Sequence, residues 1–383
     1  MHADDANRFM DLVMTRLRAQ SSPPAPAASH YVLRDQAFGE HFVRIWFLTG
    51  GCTWERRGTC TMCEYGVRSS VGGPEMVESV RTALGEIRGP VGELLVSPSG
   101  SMLDPLEVPV ASRDRIFGLM GKISDAAVCV ETRPETVTEE SASALARAFA
   151  GRRISVEMGL ESSSPWVLRF CVNKGAGPGA FTAASDVLAD LGLRRYANVA
   201  LGAAFLSPLE AVEDTSASVR WALRRGVDRV LIFPLHVKRR TLLGWLFQRG
   251  RYSPPSLWSL VDVLGRLDPD QLPRVGVSWY RSIAFQDPEV LASPTTCELC
   301  APSVLDALDR YRAQPCAGTF ADLSAIDCAC RSTWRSEMAS PAHSALAERV
   351  FAEYMLLAEE FRLLEWWRIH GDRLWEAIFS GPC

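Results

Sequence analysis

The sequence predicts an α/β protein: a partial βα barrel of the (βα)6 type, followed by a Cys-rich region and a terminal helix. Three observations predict it. From about Val43 to Trp279, short apolar runs alternate with longer helical segments, the pattern of parallel βα units. Past Trp279 the alternation stops, and the stretch Thr295 to Trp334 is rich in cysteine and poor in strand signal. The tail from Pro341 to Phe379 returns to apolar residues at helical spacing.

Taken in order, residues 1–40 read as an N-terminal helix and a linker. Phe9, Leu12, Val13 and Leu17 make the helical stripe, and SSPPAPAAS follows as an extended segment. Residues 41–280 form the barrel. Its strand candidates are Val43–Thr49, Gly92–Ser97, Ala126–Thr132, Arg153–Gly159, Ala197–Phe205, Arg229–Leu235 and Arg274–Trp279. Helical segments such as Pro74–Ile87, Ser141–Ala150 and Ala211–Gly226 separate them. In such a barrel the chemistry sits at the C-terminal ends of the strands. Residues 281–340 are expected to fold around something they bind. In the tail, residues 341–383, Leu346, Val350, Tyr354, Leu357, Phe361 and Leu364 trace an apolar stripe. Met355, Trp366 and Trp367 on it are read as core packing.

A net charge of −4 gives no general attraction to polyanions, so any nucleic-acid contact needs a local basic patch. The N-terminus reads as no signal peptide, and no apolar run reaches the roughly 18 residues of a membrane span. The expectation is a cytoplasmic protein with reduced thiols. Its eleven cysteines then need another account. Cys129, Cys171, Cys316 and Cys383 stand alone; Cys129 and Cys171 read as small buried apolar residues. The other seven fall into three tight groups, which in a reduced compartment point to metal.

The first group follows the first barrel strand in GGCTWERRGTCTMCEYG, spaced C-x7-C-x2-C as Cys52, Cys60 and Cys63. Three thiolates on one loop can hold a [4Fe–4S] cube by three corners and leave one iron open. Structural zinc is the alternative, but it prefers four closed ligands and no His adjoins this loop. The loop resembles that of radical S-adenosylmethionine (SAM) enzymes, in which an aromatic residue two positions past the last cysteine meets SAM's adenine; Tyr65 holds that place. The longer spacing is similar to that of the archaeosine synthase radical SAM subunits. Further stretches resemble that subfamily in order. In SPSGSMLDPLEVP, Ser99, Gly100 and Ser101 are implied to meet SAM's amino-acid end. In VETRPETV, Glu131 and Arg133 face the site, and in VEMGLESSSPWVLRFCVNKG, Glu161 and Ser162 meet SAM. Asn198, on the next strand run, joins the cofactor-binding set. FPLHVKRRTLLGWLFQRGRYSPPSLWS resembles a long block after the sixth strand and contains His236, which is either packed or facing substrate.

The resemblance implies two cofactors, the cluster and SAM, reductive cleavage of SAM to a 5′-deoxyadenosyl radical, and an electron donor such as flavodoxin or ferredoxin. The remaining groups, Cys297/Cys300 and Cys328/Cys330, suit a second metal site, an auxiliary [4Fe–4S] cluster or zinc, with Cys316 in reserve. The chain is similar to the radical SAM branch that exchanges a sugar-ring oxygen for sulfur in a nucleoside precursor, as in albomycin biosynthesis. The expectation is a sulfur-inserting enzyme with a nucleoside or nucleotide substrate and the auxiliary cluster as donor. The alternative is the archaeosine reaction, fragmentation on a lysine-modified base of transfer RNA with a partner subunit. It would use Lys238-Arg239-Arg240, Arg224-Arg225 and Arg249/Arg251 as an RNA-facing patch. A non-catalytic metal-binding or redox protein is the third class.

Overall fold

The computed structural model describes residues 5–22, 28–67, 70–123, 126–282, 287–339 and 344–381. All seven strand runs form strands. An eight-stranded curled sheet runs β1 (His30–Ala37), β2 (Glu40–Phe47), β3 (Glu93–Pro98), β4 (Ala127–Thr132), β5 (Ile154–Glu161), β6 (Arg194–Leu201), β7 (Arg229–Pro234) and, past a short β8 (Val237–Lys238), β9 (Val275–Val277). The strands from β2 onward pair in parallel. A two-stranded annex joins β8 to β10 (Val290–Ala292).

Within the eight-stranded sheet, β1 is the strand the apolar pattern did not mark. It lies within the segment read as helix and linker and pairs antiparallel with β2, Ala37 opposite Glu40. The intervening turn places Phe38 and Gly39 at φ 52° and 78°. The Phe38 ring lies under the Arg229 guanidinium at 4.2 Å and against Gly276, where a β-carbon would fall 2.7 Å from the ring.

The strands read as apolar runs because both faces are buried, but the two faces differ. Val43, Ile45, Leu94, Val96, Val128 and Val130 pack outward in the main hydrophobic core shared with the helices. On the alternate positions, polar groups meet inside. Glu93 takes hydrogen bonds from Tyr196 Oη at 3.1 Å and Arg229 Nη1 at 2.8 Å. Cys129 and Cys171 are fully buried, as expected.

The sheet is open between β1 and β9, and the helix Ala301–Ala313 covers the seam. Tyr311 Oη donates to Val275 O at 2.9 Å, and Arg312 Nη1 donates to Val277 O at 2.7 Å. Arg312 also pairs with Asp35 of β1 at 2.9 Å. The Phe38 and Gly39 amides donate to Arg312 O and Ala313 O. The Cys-rich region is thus helical, continuing in Ala317–Ser324 and Ala329–Ala339.

The tail forms two helices, Leu346–Glu360 and Leu364–Phe379, broken where Arg362 takes φ 53°. Val350, Tyr354, Leu357 and Phe361 are buried, whereas Leu364 and Met355 turn outward because the break rotates the stripe and Met355 lies off it. The N-terminal helix Asp5–Ala19 packs here, Phe9 stacking on Tyr354 at 5.2 Å. Among the described residues no helix is long and apolar enough to cross a membrane.

Candidate active site at the barrel mouth

The loop after β2 doubles back on itself. Gly51 has φ 82°, and a β-carbon there would lie 2.5 Å from Tyr65 O, so the loop closes only around a glycine. Closure brings Cys52, Cys60 and Cys63 together as mutually interacting thiols, Cys52 buried and the other two half-buried. Glu55, fully buried, holds the loop by accepting from Gly66 N and pairing with Arg18 of the N-terminal helix. Arg18 also donates to Cys63 O at 3.3 Å. A second clamp comes from Glu107. Its Oε1 accepts from Thr53 N at 2.5 Å and Arg133 Nη2 at 2.9 Å, and its Oε2 accepts from Ser101 N at 2.6 Å.

Burial pushes the thiols up, Cys52 to about 11, Cys63 to about 12 and Cys60 well above its usual value. Each has one cation pulling the other way: Arg133 on Cys52, Lys174 on Cys60 and Lys238 on Cys63. A donor set of three thiols on one loop, one buried and two half-buried, with a cation beside each, fits an iron–sulfur cluster held at three corners.

Beside Cys63 opens a cavity at the strands' C-terminal ends. Ser97, Glu131, Glu161 and Asn198 project from β3 to β6, facing Met62, Cys63 and Tyr65 on the loop. Glu131 accepts from Ser97 Oγ and lies 3.5 Å from Asn198 Nδ2. Burial raises the pKa values of Glu131 and its neighbour Glu157; the Glu161 carboxylate adds to the rise at Glu131, and Glu131 adds to the rise at Glu157. A bulge between Gly159 and Glu161 puts Glu161 at φ 63°, where its carboxylate meets Lys174 Nζ at 2.8 Å. The far wall is Phe233, Leu235, His236, Lys238, Trp279 and Asp287. Tyr31 and Trp46 complete it, stacked at 5.0 Å and 8°. Lys238 Nζ lies 5.0 Å over the Tyr65 ring and 3.2 Å from Asp287.

His236 is neutral, its pKa lowered to about 4 by burial. Nε2 donates to Trp279 O at 2.6 Å, and Nδ1 accepts from Ser293 Oγ at 3.0 Å, so both nitrogens are engaged.

The residues implied for SAM thus divide in two. Tyr65, Glu131, Glu161 and Asn198 line the cavity. Ser99, Gly100, Ser101 and Arg133 sit behind the cysteine loop: Ser99 Oγ accepts from Thr49 N at 2.9 Å, and Ser101 Oγ from Arg133 Nε at 3.0 Å. A β-carbon on Gly100 would strike the Glu107 carboxylate. Ser162 donates to Asp214 at 2.7 Å. Sequence reasoning missed Glu107 and Lys174, although both lie inside stretches it singled out. It also missed Tyr31, Trp46, Trp279 and Asp287, which only long-range folding brings to the cavity.

The second group assembles as well. The sulfurs of Cys297, Cys300, Cys328 and Cys330 all lie within 4.8 Å of one another, a four-thiol group able to hold a metal ion. Cys316 stays apart, its thiol 3.5 Å from Thr319 Oγ1 at the start of the helix Ala317–Ser324.

No known family profile matches the chain. It is 29% identical over 342 residues to archaeosine synthase subunit beta of Methanosarcina acetivorans, covering 86% of this chain and 94% of that protein. The Thermococcus kodakarensis archaeosine synthase subunit beta is 30% identical over 227 residues, 56% of this chain and 68% of that one. The chain belongs to the archaeosine synthase beta-subunit family. It is a radical SAM enzyme by that homology, and the barrel with its three-cysteine loop is the corresponding fold. Among solved structures, Methanocaldococcus infernus Elp3 aligns at a TM-score of 0.46 and 18% identity, over 62% of this chain and 60% of that one. Within this radical SAM chain the cysteine loop, the Glu107 clamp and the cavity form one connected unit.

Proposed function

We propose that this chain is the radical-generating component of an archaeosine-synthase-type fragmentation, acting on a nucleobase-bearing substrate beside a partner subunit. The observation that carries the reading is the cavity itself: aromatic plates and strand-end polar groups converge beside Cys63. The beta-subunit relatives, matched over most of their length, support this over a sulfur-for-oxygen exchange. Sulfur exchange needs a sulfide within reach of the substrate carbon. None of the four cysteines of the second group lines the cavity.

Cys52, Cys60 and Cys63 would hold a [4Fe–4S] cluster, which, reduced and with SAM bound, would supply radical chemistry that removes a hydrogen atom from substrate. Tyr65 offers its ring to the adenine, and Ser97, Glu131 and Asn198 offer polar groups to hydroxyls. A planar base fits against Trp279 and the Tyr31–Trp46 stack, since aromatic faces accept any base. The Lys238–Asp287 pair supplies donor and acceptor for its polar edge. Met62, Phe233, Leu235 and Trp279 shield the reacting centre from water. His236, neutral and engaged at both nitrogens, positions the Trp279 carbonyl rather than moving a proton.

The basic residues that could build an RNA-facing patch differ in their surroundings. Lys238 faces the cavity, Arg240 is buried and Arg251 pairs with Glu353. Arg224, Arg225 and Arg249 remain exposed for phosphate contact, and Arg239, also exposed, pairs with Glu289 at 3.7 Å.

The test is anaerobic turnover of reconstituted protein with reductant and SAM, in wild type and in Cys60→Ala/Cys63→Ala. 5′-Deoxyadenosine is expected from the first alone; equal yields would end the radical reading. Transfer RNA carrying the lysine-modified base, with partner subunit, should then be consumed, with binding that weakens steeply as salt rises. Consumption of a free nucleotide with gain of sulfur, and none of the RNA, would replace fragmentation by sulfur exchange.

A further inference from the structure

The four-thiol site differs from the three-cysteine loop in one measurable way: its sulfurs are close. Cys297–Cys300, Cys297–Cys328 and Cys300–Cys330 are each 3.5 Å apart. All six pairs fall within 4.8 Å, and among the described residues no other set of three or more Cys, His, Asp or Glu ligand atoms is drawn so tightly. Four sulfurs at about 2.3 Å from one ion, arranged tetrahedrally, are about 3.8 Å apart. A [4Fe–4S] cube places four irons and four sulfides between its thiolates and spreads them to about 6 Å.

We propose that Cys297, Cys300, Cys328 and Cys330 hold a single tetrahedral ion, zinc as the usual occupant of a closed four-thiolate structural site, and not the auxiliary cubane that the sequence left open beside it. The ion's work is structural. Cys300 immediately precedes the helix Ala301–Ala313, which closes the seam between β1 and β9. Cys328 and Cys330 lie at the start of the helix Ala329–Ala339. One ion therefore ties together two helices otherwise joined by the intervening chain. Trp258 Nε1 donates to Cys330 Sγ at 3.2 Å, fastening the site to a core helix and satisfying a thiolate lone pair. Upstream, Thr295 O accepts from Leu257 N, and Ser293 meets His236 of the cavity wall at 3.0 Å. The ion thus anchors one wall of the cavity without lining it.

The inference stands apart from the choice of substrate. The experiment is zinc, iron and sulfide per chain after anaerobic reconstitution with excess iron and sulfide. Wild type is expected to hold about four irons and one zinc, and Cys60→Ala/Cys63→Ala near-zero iron with the zinc retained. Eight irons in wild type, or four retained in the variant, would overturn the proposal, and so would a wild type holding neither zinc nor a second cluster. If the variant fails to fold, the wild-type counts decide alone. As a second readout, cobalt(II) in place of zinc should show the ligand-field bands of a tetrahedral thiolate centre. Cys300→Ser/Cys330→Ser should lose those bands while keeping the iron of the loop; bands that survive both substitutions would remove these cysteines as ligands.

Discussion

Glu107 clamps the cysteine loop from behind, and Glu107→Gln tests that role directly. The carboxylate is fully buried, and every polar atom aimed at it donates: Thr53 N, Thr53 Oγ1, Arg133 Nη2 and Ser101 N. Burial pushes its pKa upward, but only the ionised form can accept from both sides at once. An amide keeps the shape and offers one oxygen, so either Thr53 or Ser101 then faces an NH2 group, donor against donor. Losing one charge-assisted bond costs about 1.5–3 kcal/mol, and breaking a buried pair about 3–5. Arg133 keeps Asp104 at 2.7 Å and Glu135 at 3.1 Å, which places the loss near the lower end, about 3 kcal/mol. For 383 residues, an unfolding entropy of about 2.1 cal/mol/K per residue converts this to a fall of about 4 °C in Tm. Because the strain falls on Thr53, next to Cys52, iron incorporation should fall with it. The assay is calorimetry plus iron per chain after reconstitution, in Glu107→Gln, Arg133→Gln and the double variant. The double should cost less than the sum of the singles by at least about 1 kcal/mol. A Tm within 1 °C of wild type, with full iron, would refute the clamp.

Three further outcomes follow from the same geometry. Gly100→Ala drives a β-carbon into the Glu107 carboxylate and should reproduce the loss of iron, read as iron per chain. His236 has its pKa lowered to about 4 in the fold against about 6.5 unfolded, so its contribution is complete above pH 6.5 and declines, by up to about 3 kcal/mol, as pH falls toward 4. His236→Gln should flatten Tm against pH in that window and leave 5′-deoxyadenosine formation within about threefold; a hundredfold loss would restore a proton-transfer role. Asp214, raised to about 6 by burial, has the opposite sign: its contribution is complete below about pH 3.8 and is lost as pH rises through 6. Asp214→Asn keeps an acceptor for Ser162 Oγ and should raise stability at pH 8 by about 2 kcal/mol with no gain at pH 4, measured by denaturant unfolding at both.

Much of this protein was already written along the chain. Strands such as Leu94–Val96 and Val128–Val130 had to be buried on both faces, so alternation with helices made parallel βα units legible. Cys52, Cys60 and Cys63 stood close enough in sequence for one loop to gather them, and Tyr65 came with them because two residues cannot reach far from the last thiol. What the tertiary structure alone decided lies where partners are remote. Local pattern carries no signal for Tyr31 and Trp46 lining the same cavity as Trp279, or for Glu107 closing on Thr53 and Arg133, because those arrangements exist only once the barrel curls. Charged runs divide for the same reason: neighbours in sequence point to different faces, so Lys238 lines the cavity while Arg239 is exposed and Arg240 is buried. The second metal site shows the division most clearly. Its four cysteines could be named from spacing, but the number of atoms they enclose depends on sulfur–sulfur distance, and that is set by the packing of helices about thirty residues apart.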